Sequence, residues 1–420
     1  MMTKRIFALL LALLTLLTLI SCNEEGTTED TTVADTTAAP EETTEAETDP
    51  VVDLKEITLG GVAISEFKIV YAKNPDPNLA NAENTKLIWT DYEFDKLTAE
   101  YLRDRIKEEI GVELEVVLDS DVSRSANEIN IGATNRGLDR QTTKGLSGVQ
   151  SYAIKMLSGK LSICGLSYAA TYQAVDALIA ELKAQNLEKV ELAADYSKTG
   201  KAEVTIIACM GDSLTYGSTS TQPLVHSYPA VLGRLLWKTA VVYNYGLGGR
   251  TMTDAIRLVD TNPSYPKGTK MGYMHTTQYK DCLANAQNFD IALIMLGTND
   301  ANTNNCTPSA AGFEAEYIAA YKGYVDALKA KNANVKICLM NCPFALNATE
   351  TNMATYLRPI QKKAAEQVGT DHFDMFTYSQ KNIGTSRLLP DDLHPSEKGY
   401  EIMAKGVLAM LTEKYGIRAN

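Results

Sequence analysis

Val204-Thr205-Ile206-Ile207-Ala208-Cys209-Met210-Gly211-Asp212-Ser213-Leu214-Thr215 is an apolar run that stops at a glycine and turns at once into Asp-Ser. A run of this length with no polar alternation reads as a strand covered on both faces, the habit of parallel sheets. A strand that halts at Gly211 lifts the Ser213 hydroxyl to the carboxyl edge of its sheet, where a distant side chain can reach it. Further strand-like runs follow at Ala240 to Tyr243, Ile291 to Leu296, Val335 to Met340 and Phe373 to Phe376. Helical stretches separate them, among them Glu314 to Lys331, Met353 to Val368 and Ser396 to Tyr415. Strand and helix in alternation imply an α/β domain over 201–420, with a parallel sheet, helices on both faces and its polar site at the strands' carboxyl ends.

Gly-Asp-Ser after a strand is also what any tight turn uses, so the weight lies on the blocks that accompany it. Asn244-Tyr245-Gly246-Leu247-Gly248-Gly249-Arg250-Thr251 follows the second run and Gly297-Thr298-Asn299-Asp300 the third, while Asp391-Asp392-Leu393-His394-Pro395 precedes the last helix. Together with Gly211-Asp212-Ser213-Leu214-Thr215, these blocks resemble the SGNH (GDSL-type) hydrolase family from about Val204 to the C-terminus. The resemblance implies a three-layer α/β/α, flavodoxin-like domain with a five-stranded parallel sheet.

Each block then has a physical task. Ser213 is a weak nucleophile until a base takes its proton, and His394 is the candidate base. Asp391 stands three residues before His394, a spacing at which a carboxylate reaches back to the imidazole Nδ1–H and fixes the tautomer. Asp392, its neighbour, reads as a solvated loop residue, because the family's Asp-x-x-His spacing selects Asp391. Negative charge that develops on a carbonyl oxygen needs donors already in place. The resemblance assigns the backbone N–H of Ser213, the backbone N–H of Gly249 and the side-chain amide of Asn299. Gly248 takes the place of Gly249 if the register slips by one residue. His226, His275 and His372 lack an Asp three residues before them. Asp212 is read as a support for the turn beneath Ser213 and Asp300 as a support for the third block. The reaction calls for a nucleophile, a base and donors, so no metal or organic cofactor is implied.

Residues 51–200 read as a smaller mixed α/β domain. Short runs at Glu56 to Leu59, Phe67 to Tyr71, Leu114 to Leu118 and Glu128 to Ile131 alternate with a helix that carries Phe94, Leu97, Tyr101, Ile106 and Ile110 and stops at Gly111. Ser158-Gly159, between Tyr152 to Met156 and Leu161 to Cys164, signals a hairpin. Ser167 opens a second helix that buries Tyr168, Tyr172, Val175, Ile179 and Leu182. The stretch Glu128 to Arg136, the hairpin and the Ala-rich helix together resemble the small non-catalytic α/β domain that precedes the barrel of several bacterial glycosidases.

At the N-terminus, Lys4 and Arg5 precede the apolar stretch Ile6 to Ile20, which has the length of a secretory signal rather than of a membrane span. Leu19-Ile20-Ser21-Cys22 resembles the lipobox of bacterial lipoproteins. That resemblance implies a signal peptide over 1–22, cleavage before Cys22 and acylation of its thiol, hence a lipid anchor at the bacterial cell surface; plain secretion is the alternative. From Asn23 to Pro50 the chain has nine Thr and ten Asp or Glu, no Lys or Arg, and little to bury, the composition of a disordered linker. The 420-residue chain has a formal charge of −12, which becomes −14 without Lys4 and Arg5; ten of those charges lie in the linker, leaving the folded part near −4. With no basic stripe to neutralise phosphates, nucleic acid is excluded as a partner.

Six cysteines remain beside Cys22. Cys338 and Cys342 lie four residues apart, about 13 Å along a strand, beyond the roughly 7 Å that a disulfide spans, so they do not pair. Cys282 with Cys306 stays open. The loop Thr261 to Lys280 carries Tyr265, Tyr273, His275 and Tyr279 among Pro263, Pro266, Gly268 and Gly272. Polar aromatics on such a loop suit sugar rings better than acyl chains; packing is the alternative. No large apolar lid is evident. These features lead to an exported serine esterase that releases small acyl groups such as acetyl from a polysaccharide, its partner being the acylated glycan. A lipid-acting esterase or thioesterase, and a carbohydrate-binding surface protein with an inert hydrolase domain, are the alternatives.

Overall fold

The computed structural model describes residues 57–73, 94–185, 190–254, 269–384 and 387–419. Cys22, the linker and Tyr265 lie outside these residues.

The strand that opens the deciding stretch is β10, Thr205–Gly211, and its two faces go to different places. Among the described residues nine strands precede it: β1 (Ile57–Leu59), β2 (Val62–Ala63), β3 (Lys68–Tyr71), β4 (Val116–Leu118), β5 (Glu128–Ile131), β6 (Ser151–Leu157), β7 (Lys160–Gly165), β8 (Val190–Leu192) and β9 (Ser197–Lys201). Four follow: β11 (Ala240–Gly246), β12 (Ile291–Met295), β13 (Lys336–Met340) and β14 (Asp371–Phe373). Ile206, Ala208 and Met210 of β10 enter one apolar cluster, with Ala292 and Ile294 of β12 and Ile337 and Leu339 of β13. Ile207 and Cys209 enter a second cluster on the opposite face, with Ile291, Leu293 and Met295 of β12 and Cys338 and Met340 of β13. The period-two alternation of a strand therefore buries every residue from Ile206 to Gly211, and this is why that stretch carries no polar side chain.

Strands β10 to β14 form a five-stranded, wholly parallel sheet in the order β11-β10-β12-β13-β14. The chain leaves β10 in one direction to make β11 and then crosses back to make β12, so the strand order reverses at β10. Loops on either side of such a reversal splay apart and open a crevice at the carboxyl ends of the strands. Ser213 follows β10 directly. The fifth strand ends earlier than the apolar run suggests: Asp374 accepts a hydrogen bond from Thr377 N–H and starts a helix over Met375–Ile383, so Met375 and Phe376 are helical.

The preceding region is mixed. Its larger sheet runs β4-β3-β5-β7-β6-β9, parallel from β4 to β7 and antiparallel where β6 meets β7 and β9; a smaller sheet runs β2-β1-β8. β6 and β7 form the two-residue hairpin, with Ser158 and Gly159 both at positive φ, as a type I′ turn requires. Ser167 caps the helix Tyr168–Ala184 by accepting from Ala170 N–H. The helix Phe94–Ile110 buries Phe94, Ala99, Leu102 and Ile106, whereas Leu97 points to solvent. The first region packs against the region of the parallel sheet: Val241 of β11 enters the apolar cluster of the first region, and Phe94 and Tyr168 pack around Trp237. Gln173 donates to the carbonyls of Glu203 and Lys238 and accepts from Glu203 N–H.

All six cysteines of the described part are free and buried. Cys338 and Cys342 are unpaired, and so are Cys282 and Cys306. Burial pushes each of these thiols up, to about 12 for Cys306 and Cys342, so they act as small apolar fillers and not as nucleophiles.

Candidate active site

Two glycines let the backbone fold tightly enough to present Ser213. A Cβ on Gly211 would meet the Met295 carbonyl oxygen at 2.6 Å, and one on Gly246 would meet Tyr216 N at 2.3 Å. With both positions bare, the short helix Ser213–Tyr216 lies flat across the ends of β10 and β11. Asn244 fixes it there: its amide donates to the Thr215 carbonyl at 3.0 Å and its oxygen accepts from Gly246 N–H at 2.9 Å. Asp212 caps the helix by accepting from Leu214 N–H at 3.0 Å.

The structure brings Ser213, His394 and Asp391 together across 181 residues of chain. His394 Nε2 lies 2.7 Å from Ser213 Oγ, and His394 Nδ1 lies 2.7 Å from Asp391 Oδ2. Asp391 uses both oxygens. Oδ2 meets the ring, while Oδ1 accepts from His394 N–H at 2.7 Å and Leu393 N–H at 3.1 Å. The three-residue spacing works because the carboxylate closes the loop on itself while it holds the imidazole. Burial alone would raise the Asp391 carboxyl; the hydrogen bonds from the His394 ring and from the two backbone N–H groups outweigh it and hold the group below the ordinary carboxylate range. Asp391 is thus an anion at neutral pH, and it favours a proton on Nδ1 and a free Nε2 toward Ser213. Asp392 sits at φ +65°, and its carbonyl accepts from Leu346 N–H at 2.8 Å.

The three residues assigned to an anion pocket fare differently. Among the described residues no acceptor takes the N–H of Ser213 or of Gly249. Gly249 has φ +74°, and a Cβ on Gly248 would lie 3.7 Å from Ser213 Cβ, so this glycine pair runs past the nucleophile's position. The Asn299 amide, by contrast, already donates to the Arg250 carbonyl at 3.1 Å and to Asp212 Oδ2 at 3.3 Å.

Beneath lies a pair of buried carboxylates whose reach the sequence reading understates. Asp300 accepts from Met252 N–H, Thr253 N–H and Thr253 Oγ1, tying the loop after β12 to the loop after β11. Asp212 links the Ser213 turn to Asn299. Both are fully buried. Burial raises Asp212 to about 7 and Asp300 to about 6, against the pull of their hydrogen bonds; the nearby Asp300 adds to the rise at Asp212. An alternation of charged and apolar residues would have flagged a buried acid, but here both sit in turns, where Asp is ordinary.

Of the aromatic residues read as a sugar platform, Tyr273 lies in the core and Tyr279 packs against it. Tyr273 is fully buried, donates to the Tyr245 carbonyl at 2.6 Å, and packs with Tyr279 edge-on to Tyr324. His275 is exposed and pairs with Asp254 at 2.6 Å. Among the described residues no group of three or more His, Cys, Asp or Glu side chains gathers that could hold a metal ion.

A serine hydroxyl bonded to an imidazole whose other nitrogen faces a carboxylate can pass its proton to the ring and attack an electrophilic carbonyl. Several known esterases are similar to this chain. An acetylxylan esterase of Xylanibacter ruminicola is 26% identical over 232 residues, which cover 50% of this chain and 44% of the relative's length. The match thus spans less than half of that protein. Among solved structures, an acetylxylan esterase from Geobacillus stearothermophilus, studied as a catalytic mutant, is 22% identical with a TM-score of 0.34, over 49% of this chain and 93% of the other. The aryl esterase of M. smegmatis is 19% identical with a TM-score of 0.38, over 50% of this chain and 99% of the other. Residues 209–402, a little under half of the chain, are similar to the GDSL-like lipase/acylhydrolase family.

Proposed function

We propose that the protein is a serine esterase that removes small acyl groups, acetyl first among them, from a polysaccharide outside the cytoplasm. The observation that carries this reading is the Ser213–His394–Asp391 chain of hydrogen bonds, each link at 2.7 Å. In the proposed cycle His394 Nε2 accepts the Ser213 proton as Oγ attacks the ester carbonyl, and Asp391 stabilises the imidazolium that results. The N–H groups of Ser213 and Gly249 receive the developing oxyanion, with Asn299 as third donor once its bond to the Arg250 carbonyl gives way. Imidazolium then returns the proton to the leaving sugar alcohol, and water repeats the sequence on the acyl-enzyme.

Support for a sugar ester comes from the relatedness to an acetylxylan esterase. The same proposal places the chain at the bacterial surface through a lipid on Cys22, with residues 23–50 as tether and residues 51–200 as an accessory domain. The test is acetate release from acetylated xylan, pectin and peptidoglycan, run beside p-nitrophenyl acetate and octanoate. Ser213→Ala should abolish turnover, a loss of about 10⁴-fold or more, and leave folding intact. Preference for octanoate over every acetylated glycan would replace the sugar ester with a lipid-type substrate. Turnover retained in Ser213→Ala would remove the serine mechanism.

A further inference from the structure

The imidazole of His394 reaches Ser213 from the far end of the chain, and something must hold it there. The segment Gly217–Thr221, which continues directly from the helix bearing Ser213, makes three consecutive contacts with the segment bearing His394. Gly217 and Ser218 N–H both close on the Ser213 carbonyl, so this segment is rigidly referred to the nucleophile. Tyr400, buried in the last helix, donates its phenol to the Ser218 carbonyl at 2.8 Å. Thr219 Oγ1 lies 2.7 Å from the carbonyl of Pro395, the residue after His394. Thr221 Oγ1 donates to Glu397 Oε1 at 2.7 Å.

Thr219 is the informative member. It sits at φ +71°, one of three non-glycine residues at positive φ among the described residues, and it is β-branched. A β-branched side chain in the left-handed region is strained, and such strain persists only where surrounding contacts over-determine it. A hydroxyl has one proton to give. Its single proton is shared between the Ser218 carbonyl, 2.5 Å from Oγ1, and the Pro395 carbonyl, and only the second of these bonds crosses to the segment that carries His394. Glycine, the relaxed choice for this backbone, could not make the bond.

We propose that Thr219 is a positioning residue: its hydroxyl clasps the Pro395 carbonyl and sets the distance between the His394 imidazole and Ser213 Oγ. The proposal rests on the serine esterase reading for its kinetic consequence, but not for the clasp itself. Thr219→Val keeps shape and strain and removes the proton; Thr219→Ser keeps the proton; Thr219→Gly relaxes the backbone and removes the tether. On an acetyl ester, Thr219→Val and Thr219→Gly should lower kcat about ten- to a hundredfold with KM within about twofold, because a displaced base slows proton transfer without altering ground-state binding. Thr219→Ser should restore kcat to within about threefold. The melting temperature of Thr219→Gly should not fall. Amide hydrogen exchange over 389–397 should accelerate in the Val and Gly variants alone, and this arm does not depend on turnover. If the natural protein hydrolyses no ester, the esterase reading fails while exchange still decides the clasp. Unchanged exchange over 389–397 in Thr219→Val overturns the proposal, as does a kcat that falls only in step with melting temperature or fails to recover in Thr219→Ser.

Discussion

At the scale of single residues, two adjacent aspartates have different work because of where their oxygens point. Asp391 spends one oxygen on the loop backbone and the other on the His394 ring, while Asp392 contributes its backbone at φ +65° and a carbonyl to Leu346. Asp391→Asn can keep the backbone contacts through its amide oxygen but turns an N–H toward Nδ1, so the ring takes the wrong tautomer for a base. Turnover should fall about 10³- to 10⁴-fold, with the melting temperature little changed. Asp392→Asn, a residue type that tolerates positive φ, should leave turnover within about twofold. Equal losses in the two variants would count against the assignment of Asp391. In the sequence this distinction rested on the family resemblance, whose Asp-x-x-His spacing selects Asp391. The engagement of Asn299 was not, since no local pattern tells that its amide meets Asp212, 87 residues away.

At the scale of elements, the position of Ser213 depends on the short helix Ser213–Tyr216 lying against the end of β11. Gly246→Ala pushes a methyl to 2.3 Å from Tyr216 N, which is backbone and cannot swing aside. The helix must move, and the expected outcome is about 1–3 kcal/mol of stability lost with a larger loss of turnover, about a hundredfold. Gly233→Ala is the control: its Cβ would meet Val242 at 3.6 Å, ordinary contact, within a helix where alanine is favoured. Denaturant midpoints and kcat for the two variants check the pair, and a Gly246→Ala enzyme as active as Gly233→Ala would show that the helix is not so constrained. Long buried strands such as β10 and β12 could be read from their apolar runs alone, because the runs reflect burial on both faces. β14 could not: Phe373 to Phe376 is broken by Asp374, whose capping carboxylate, engaged with Thr377 and Asn341, divides strand from helix. Leu97 misled for a related reason, since the period of the helix Phe94–Ile110 is carried by Ala99 and Leu102, and a small residue such as Ala99 gives a weak signal.

At the scale of the whole molecule, the site is stitched to the fold by carboxylates that folding removes from water, and this sets how stability responds to pH. Asp212 and Asp300 hold their protons to about 7 and about 6 in the folded chain, against about 3.9 for an unfolded aspartate. Between those values the folded state binds protons that the unfolded state has released. The stability these groups lend is fully present below about pH 4 and is lost as pH rises through about 6 to 7. Groups held low act in the other direction: Glu128, pulled down to about 2 by Arg136, Ser125 N–H and Lys160 in spite of burial, lends stability that disappears only on strong acidification. His372 complicates the middle of the range, because burial lowers its imidazole and makes stability rise with pH where an unfolded histidine would titrate. A comparison of the natural chain with Asp212→Asn cancels that contribution. Urea midpoints measured at about pH 5 and about pH 8 should show the natural chain losing stability relative to Asp212→Asn as the pH increases, by an amount that reflects close to one proton. A stability difference that does not change between the two pH values would mean that Asp212 is already an anion at the lower pH, held so by Leu214 N–H and the Asn299 amide, and that the turn under Ser213 carries its charge at all working conditions.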